Sequence, residues 1–286
     1  MKKSIFLSFI LCLCLVACIP QQAMAQKQSR MEKLLRYLND NDADKWQKNR
    51  EKLDDETKAY YAEDLSLMDV LNDLWNGQSE QAATLYFGCY EKAAQSNFPG
   101  ICEGEKIPLS QIRDKADQSI INLLEASKDK IPFSRALLDS IHATEYPVDS
   151  AMLQRLQNIR EVALLEGMLK APTPTIYQTY VKEYPNGKFI AQVNASENVR
   201  LYQLVKTTPT PANFKAFFED PEMQKYYQDR GPRPYLAEVR TLYDDFLFQR
   251  IDSLKKEGNA TAIRQIIDDY KNTPCLLYTS DAADDG

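Results

Sequence analysis

Apolar residues recur at three- and four-residue steps along most of this chain, and no convincing alternation of apolar and polar residues interrupts them. This spacing places apolar side chains on one face of a helix, whereas alternation is typical of a strand. Leu67, Leu71 and Leu74 show the pattern, and Gly77 follows where a helix C-terminus favours glycine. The whole chain has only 9 glycines, which disfavours barrels and sandwiches with many tight turns. The sequence therefore predicts an all-α fold.

Capping residues predict where several of these helices begin. Ser79 is a suitable N-cap for a helix that buries Ala83, Tyr86, Phe87 and Tyr90 on one side. Further helices are predicted to begin near Ser110, Pro132 and Ser150.

From about residue 172 onward the predicted helices come in pairs. Short helices begin at Thr173-Pro174, at Thr210-Pro211 and at Asn259, and longer ones run roughly over residues 189–205 and 234–256. A unit of two helices cannot bury its apolar face alone, so neighbouring pairs must stack. We therefore predict an N-terminal helical domain over residues 26–171, followed by stacked helix pairs over residues 172–274. The second domain is either an α-solenoid or an irregular helical array.

The segment from Tyr180 to Phe189 resembles the turn between helices in tetratricopeptide-type repeats of bacterial envelope proteins. In those repeats a helix ends in Tyr-Pro, as at Tyr184-Pro185, and the next opens with an aromatic and small residues, here Phe189, Ala191 and Ala195. The resemblance covers one good turn and two degenerate copies, and the repeat's usual Trp-Leu-Gly signature is absent. It implies a curved array that binds a protein or peptide on its concave side, and the family supplies no catalytic residues. Candidate partner-binding aromatics are Tyr180, Phe189 and Tyr227.

Two tyrosine doublets bear on such a surface. Adjacent residues on a helix point in different directions, so the two members of Tyr60-Tyr61 or Tyr226-Tyr227 cannot both face one core. We expect at least one member of each doublet at a rim, where a phenol offers apolar area and a hydrogen bond. Partial burial between helices is the alternative role.

The N-terminus follows the pattern of a secretory signal, with Lys2 and Lys3 before an apolar run over residues 5–17. Two cleavage sites remain open. Residues 15–18 resemble a lipobox, which implies a signal over residues 1–17, lipidation of Cys18 and a lipid anchor to a membrane. Residues 23–25 form a small-x-small site, which implies a signal over residues 1–25. Both predict an exported protein, in the periplasm or associated with the outer membrane. Three Asp-Ser triplets resemble acceptor motifs for O-linked glycans on exported proteins of Bacteroidetes-type bacteria; they begin at residues 139, 149 and 252.

The last residues, 275–286, resemble a translated adapter from sequencing-library preparation. If so, native sequence stops near Pro274 within a helical pattern and the chain is a fragment. A native acidic tail is the alternative.

Outside these two ends the chain has two cysteines, Cys89 and Cys102. In an oxidising compartment such a pair is a disulfide candidate, and a bond across this short loop would contribute about 3 kcal/mol. Its expected role is to tie a turn at residues 98–100 to the preceding helix. Two free buried thiols are the alternative.

Catalytic, cofactor-binding and metal-binding motifs are missing from the sequence. The single histidine, His142, has no recognisable nucleophile partner, one histidine and two thiols make a poor metal site, and no glycine-rich phosphate loop occurs. Acidic and basic residues are interspersed with a net charge of −6, which argues against a nucleic-acid surface.

These features favour a non-enzymatic, exported helical-repeat scaffold that binds protein or peptide partners in the bacterial envelope. Two alternatives remain. One is the helical arm of a cell-wall enzyme whose catalytic domain lies in a missing C-terminal part. The other is a surface lipoprotein that captures carbohydrate.

Overall fold

A computed structural model of the chain describes residues 24–271. Most of the predicted signal segment, with Cys18, and the adapter-like residues 275–286 lie outside the described residues. Within residues 24–271 every regular element is a helix and none is a strand, so the predicted all-α class is confirmed. None of the helices in this range is long and apolar enough to cross a membrane.

The chain divides into two compact units between Arg160 and Glu161. This division falls inside a long helix, Ser150–Lys170, and precedes the predicted domain boundary at residues 171–172. The described helices of unit 1, ending with the helix that contains the division, are α1 (24–39), α2 (Ala43–Glu51), α3 (Asp55–Tyr60), α4 (Ala62–Trp75), α5 (Glu80–Ala94), α6 (Phe98–Glu105), α7 (Leu109–Ala126), α8 (Lys130–His142) and α9 (Ser150–Lys170).

Side-chain caps begin several helices of unit 1. The Ser79 hydroxyl accepts a 3.2 Å hydrogen bond from the backbone N–H of Ala82, which confirms the predicted start of α5. Asp54 caps α3 in the same way, with 2.8 Å between its Oδ1 and the Thr57 nitrogen. Each cap satisfies a backbone N–H that has no partner within its own helix.

The core of unit 1 forms where α4 packs along α5 and both contact α7. Leu67, Met68 and Leu71 of α4 are fully buried, as their spacing predicts. Tyr86, Phe87 and Tyr90 of α5 are also buried, but they pack edge-on against Tyr146, which lies in the loop before α9. This loop residue completes an aromatic cluster that helical spacing alone did not predict.

Unit 2 also consists of helices, and Thr173, Thr210 and Asn259 cap three of them as predicted. Helix α13 was not predicted; it is short and is capped by Asp220. It separates two of the predicted pairs, so the spacing between pairs is irregular. The described helices of unit 2 that follow α9 are α10 (Pro174–Glu183), α11 (Ile190–Thr207), α12 (Pro211–Phe218), α13 (Pro221–Tyr227), α14 (Leu236–Lys256) and α15 (Ala260–Lys271).

Helix α11 is central to unit 2, because it contacts α10, α12, α13 and α14. Arg233, in the loop before α14, joins α11 to α12 by hydrogen bonds. Its Nε donates a 2.6 Å hydrogen bond to Oδ1 of Asn198, and its Nη1 donates to the carbonyl oxygen of Phe217. Burial lowers the pKa of Arg233 to about 10. Beyond this network α15 contacts α14.

Candidate functional site

Unit 1 carries an open cleft of about 640 Å³ between α1, α3 and α6. Its walls come from the start of α1, the end of α3, the loop before α6 and the first turn of α6. They are lined by Met24, Ala25, Gln28, Tyr60, Tyr61, Ser96, Asn97, Gly100 and Ile101. The polar side chains in this lining carry amides and hydroxyls, and none of the lining residues that the structure describes is charged at neutral pH.

A buried carboxylate lies behind the polar wall of this cleft. Asp64 of α4 is fully buried, and its Oδ2 accepts from Ser96 Oγ at 3.4 Å and from Asn97 Nδ2 at 3.5 Å. Its Oδ1 is buried without a hydrogen-bond partner among the described residues. Burial raises the pKa of Asp64, and the hydrogen bonds from Asn97 and Ser96 partly oppose that rise.

The tyrosine doublet at this cleft divides as predicted. Tyr60 is 49% exposed and Tyr61 is 3% exposed, with their rings edge-on at 4.8 Å between centroids. In the other doublet both Tyr226 and Tyr227 are half-buried, also edge-on. Tyr60 therefore presents the more accessible ring.

Unit 2 exposes apolar side chains on its last two helices. Phe248 of α14 is 68% exposed, on the side of the helix opposite the buried Val239. On α15, Ile263, Ile266 and Ile267 share one face at helical spacing, yet Ile267 is 42% exposed and the other two are only half-buried. We call Phe248 and this isoleucine face the α14–α15 surface.

The three predicted partner-binding aromatics do not form one exposed surface. Tyr180 is fully buried, and its hydroxyl donates a 2.8 Å hydrogen bond to Oε1 of Glu161. The same hydroxyl accepts from the backbone N–H of Phe189, which is itself half-buried. Tyr227 is half-buried at the end of α13. Tyr180 thus holds the turn together from inside and is not available to a partner.

The predicted disulfide between Cys89 and Cys102 is absent, and both thiols are free. Residues 98–105 form helix α6 instead of the expected turn, because proline is well tolerated in the first turn of a helix. Cys89 lies on α5 with its sulfur 3.5 Å from Ser66 Oγ. Cys102 is buried on α6, where burial and the neighbouring Asp64 raise its pKa to about 12.

Another buried pair, Asp117 and Tyr146, was not predicted. The Tyr146 hydroxyl donates to Oδ1 of Asp117 at 2.5 Å, and burial raises the pKa of this carboxyl to about 6. Tyr146 packs edge-on against Tyr86, Phe87 and Tyr90, and neither member of the pair lines the cleft between α1, α3 and α6. A sequence signal could not have found it, since its members lie on different elements.

Residues 24–271 contain no group of three or more side chains that could hold a metal ion. His142, the single histidine, is exposed at the C-terminus of α8.

No protein-family model, curated protein or solved structure matches this chain.

Proposed function

We propose that the chain is an exported helical scaffold whose second unit binds a partner protein through the α14–α15 surface. The observation that carries the proposal is the exposure of Phe248 together with the half-open isoleucine face of α15. Burying apolar surface of this kind against another protein removes it from water and so stabilises the complex.

The helices of unit 2 suggest the kind of partner. Helix α11 contacts four other helices of unit 2, and its apolar residues Val193, Leu201 and Val205 are buried. The face of α15 has the same three- and four-residue spacing, and the described helix that contacts it most is α14. A partner that contributes the apolar face of a helix would match this spacing. The tetratricopeptide-like turn at Tyr184-Pro185 supports a repeat-type scaffold. Because Tyr180 in that turn is buried, we assign partner binding to the α14–α15 surface instead.

Substitution on the surface, with a matched control, tests the proposal. The full chain carrying Phe248→Asp or Ile267→Asp adds one charge to the apolar surface, and Gln249→Asp adds the same charge to an exposed polar position. We expect crosslinking in intact cells to capture a protein with the unchanged chain and with Gln249→Asp, and to lose it with the other two variants. Circular dichroism establishes that all variants keep their helices. A capture profile identical for all four chains, or no capture by any of them, contradicts the proposal.

Export is the second part of the proposal, and the N-terminal pattern supports it. Mass spectrometry of the mature N-terminus distinguishes the two cleavage sites. A lipidated Cys18 implies a membrane-anchored scaffold, Gln26 at the N-terminus implies a soluble periplasmic one, and an uncleaved N-terminus in the cytoplasm contradicts export.

A further inference from the structure

We infer that the cleft of unit 1 between α1, α3 and α6 binds a neutral disaccharide. The cleft's volume of about 640 Å³ lies within the ~300–1,000 Å³ range usual for small-molecule sites. Cleavage before Gln26 would remove Met24 and Ala25 from its wall, whereas Gln28, Tyr60 and Asn97 remain under either cleavage site. The cleft belongs to unit 1 and shares no residue with the α14–α15 surface. The inference is therefore independent of the proposed protein-binding function.

The aromatic part of the cleft suits a sugar ring. Tyr60 is about half exposed, and its neighbour Tyr61 is buried and packs edge-on against it. The buried ring restrains the exposed one, so Tyr60 presents an apolar face with little further loss of side-chain freedom on binding. The axial C–H groups of a pyranose form a flat apolar patch that stacks on such a face.

The polar part of the cleft suits hydroxyl groups. Gln28, Ser96 and Asn97 are neutral and offer both donors and acceptors. None of the described lining residues is charged, so they supply no direct counter-ion for a phosphate or an ammonium group. A neutral ligand that carries many hydroxyls matches this composition better than an ionic one.

Asp64 leaves these polar groups available for a ligand. Its hydrogen bonds to Ser96 and Asn97, at 3.4 and 3.5 Å, are long and therefore weak. The Asn97 amide nitrogen also donates to Ser96 Oγ at 3.4 Å, so the acceptors left to a ligand are the Asn97 carbonyl oxygen and the remaining lone pair of the Ser96 oxygen. The carboxylate orients both side chains from behind while their remaining donor and acceptor sites can face the cleft.

Gly100 gives a direct way to test the site. It lines the cleft on α6, and a Cβ placed there meets no atom within 4 Å. A large side chain at this position would occupy the space of the ligand, whereas alanine would fill little of it. Gly100→Trp and Gly100→Ala therefore form a matched pair that separates blocking from a general effect of replacing the glycine.

The experiment is saturation-transfer NMR on the full chain with millimolar maltose, cellobiose and N,N′-diacetylchitobiose. We expect transfer to at least one of the three, retained in Gly100→Ala and lost in Gly100→Trp. Tyr60→Ala should weaken the same interaction by about tenfold, the loss of one stacking contact. This variant also keeps the test decisive if Gly100→Trp does not fold. No transfer to any of the three sugars, or equal transfer in the unchanged chain and in Tyr60→Ala, overturns the inference.

Discussion

The hydroxyl of Tyr146 donates a 2.5 Å hydrogen bond to Oδ1 of Asp117, and this pair joins the loop before α9 to helix α7. Both residues are buried, and the Tyr86 hydroxyl lies 3.4 Å from that of Tyr146. This hydrogen bond from Tyr146 to the Asp117 carboxyl fixes the position of the irregular loop before α9.

Replacing Tyr146 with phenylalanine keeps the ring in the aromatic cluster but removes the donor. Asp117 would then remain buried without its hydrogen bond, which costs about 1–3 kcal/mol of the free energy of unfolding. Urea denaturation followed by tryptophan fluorescence reports this directly, because Trp46 and Trp75 both lie in unit 1. Tyr60→Phe removes an exposed hydroxyl and should change stability by less than about 0.5 kcal/mol. Equal midpoints for the two variants would show that the buried hydrogen bond contributes nothing.

The same pair predicts a pH dependence of stability. Burial raises the pKa of folded Asp117 to about 6, against about 3.9 in an unfolded chain. Between these values the folded state binds more protons, so this carboxyl contributes stability at about pH 4 that is lost as the pH rises through about 6. The full change is about 3 kcal/mol.

Asp117→Asn removes this titration while keeping an acceptor for Tyr146. We expect the stability of the variant, relative to the unchanged chain, to improve from pH 4 to pH 7 by up to about 3 kcal/mol. Denaturation curves for both proteins across this range measure the difference, and other carboxyls cancel because both proteins contain them. A difference that stays constant with pH would mean that the carboxyl titrates normally.

The free thiols predict unequal reactivity. Cys102 is buried with its pKa raised to about 12, whereas Cys89 is only half-buried. Since the thiolate is the reactive form, iodoacetamide at pH 8 should modify Cys89 much faster than Cys102. Peptide mapping by mass spectrometry distinguishes the two sites from the other cysteines of the chain. A crosslinked peptide that joins residues 89 and 102 in the exported protein would show that the disulfide forms after all.

Features encoded within one helix could be predicted from the sequence. Ser79, Thr173 and Thr210 cap helices at the predicted positions, because an N-cap depends on only three or four neighbouring residues. The burial of Tyr86 and Tyr90 also followed from helical spacing.

Features that combine distant segments could not be predicted in this way. Asp117 and Tyr146 lie 29 positions apart on different elements, so no local pattern relates them. The cleft joins α1 to α3 and α6, and its polar wall depends on Asp64 behind it. The segment at residues 98–100 was wrongly predicted as a turn, because Pro and Gly favour turns locally but proline also suits the first turn of a helix.

The turn after α10 closes tightly around Gly187. A Cβ at this position would lie 2.5 Å from the Tyr180 hydroxyl oxygen and closer still to the Glu161 carboxylate, which are hydrogen-bonded to each other. Gly187→Ala must push this buried pair apart, so we expect a loss of about 1–3 kcal/mol. Gly100→Ala meets open space within a helix and should instead stabilise by about 0.5–1 kcal/mol. Thermal unfolding followed by circular dichroism measures the change in Tm of both variants. Changes of the same sign would mean that the close contact with Tyr180 and Glu161 does not require a glycine at position 187.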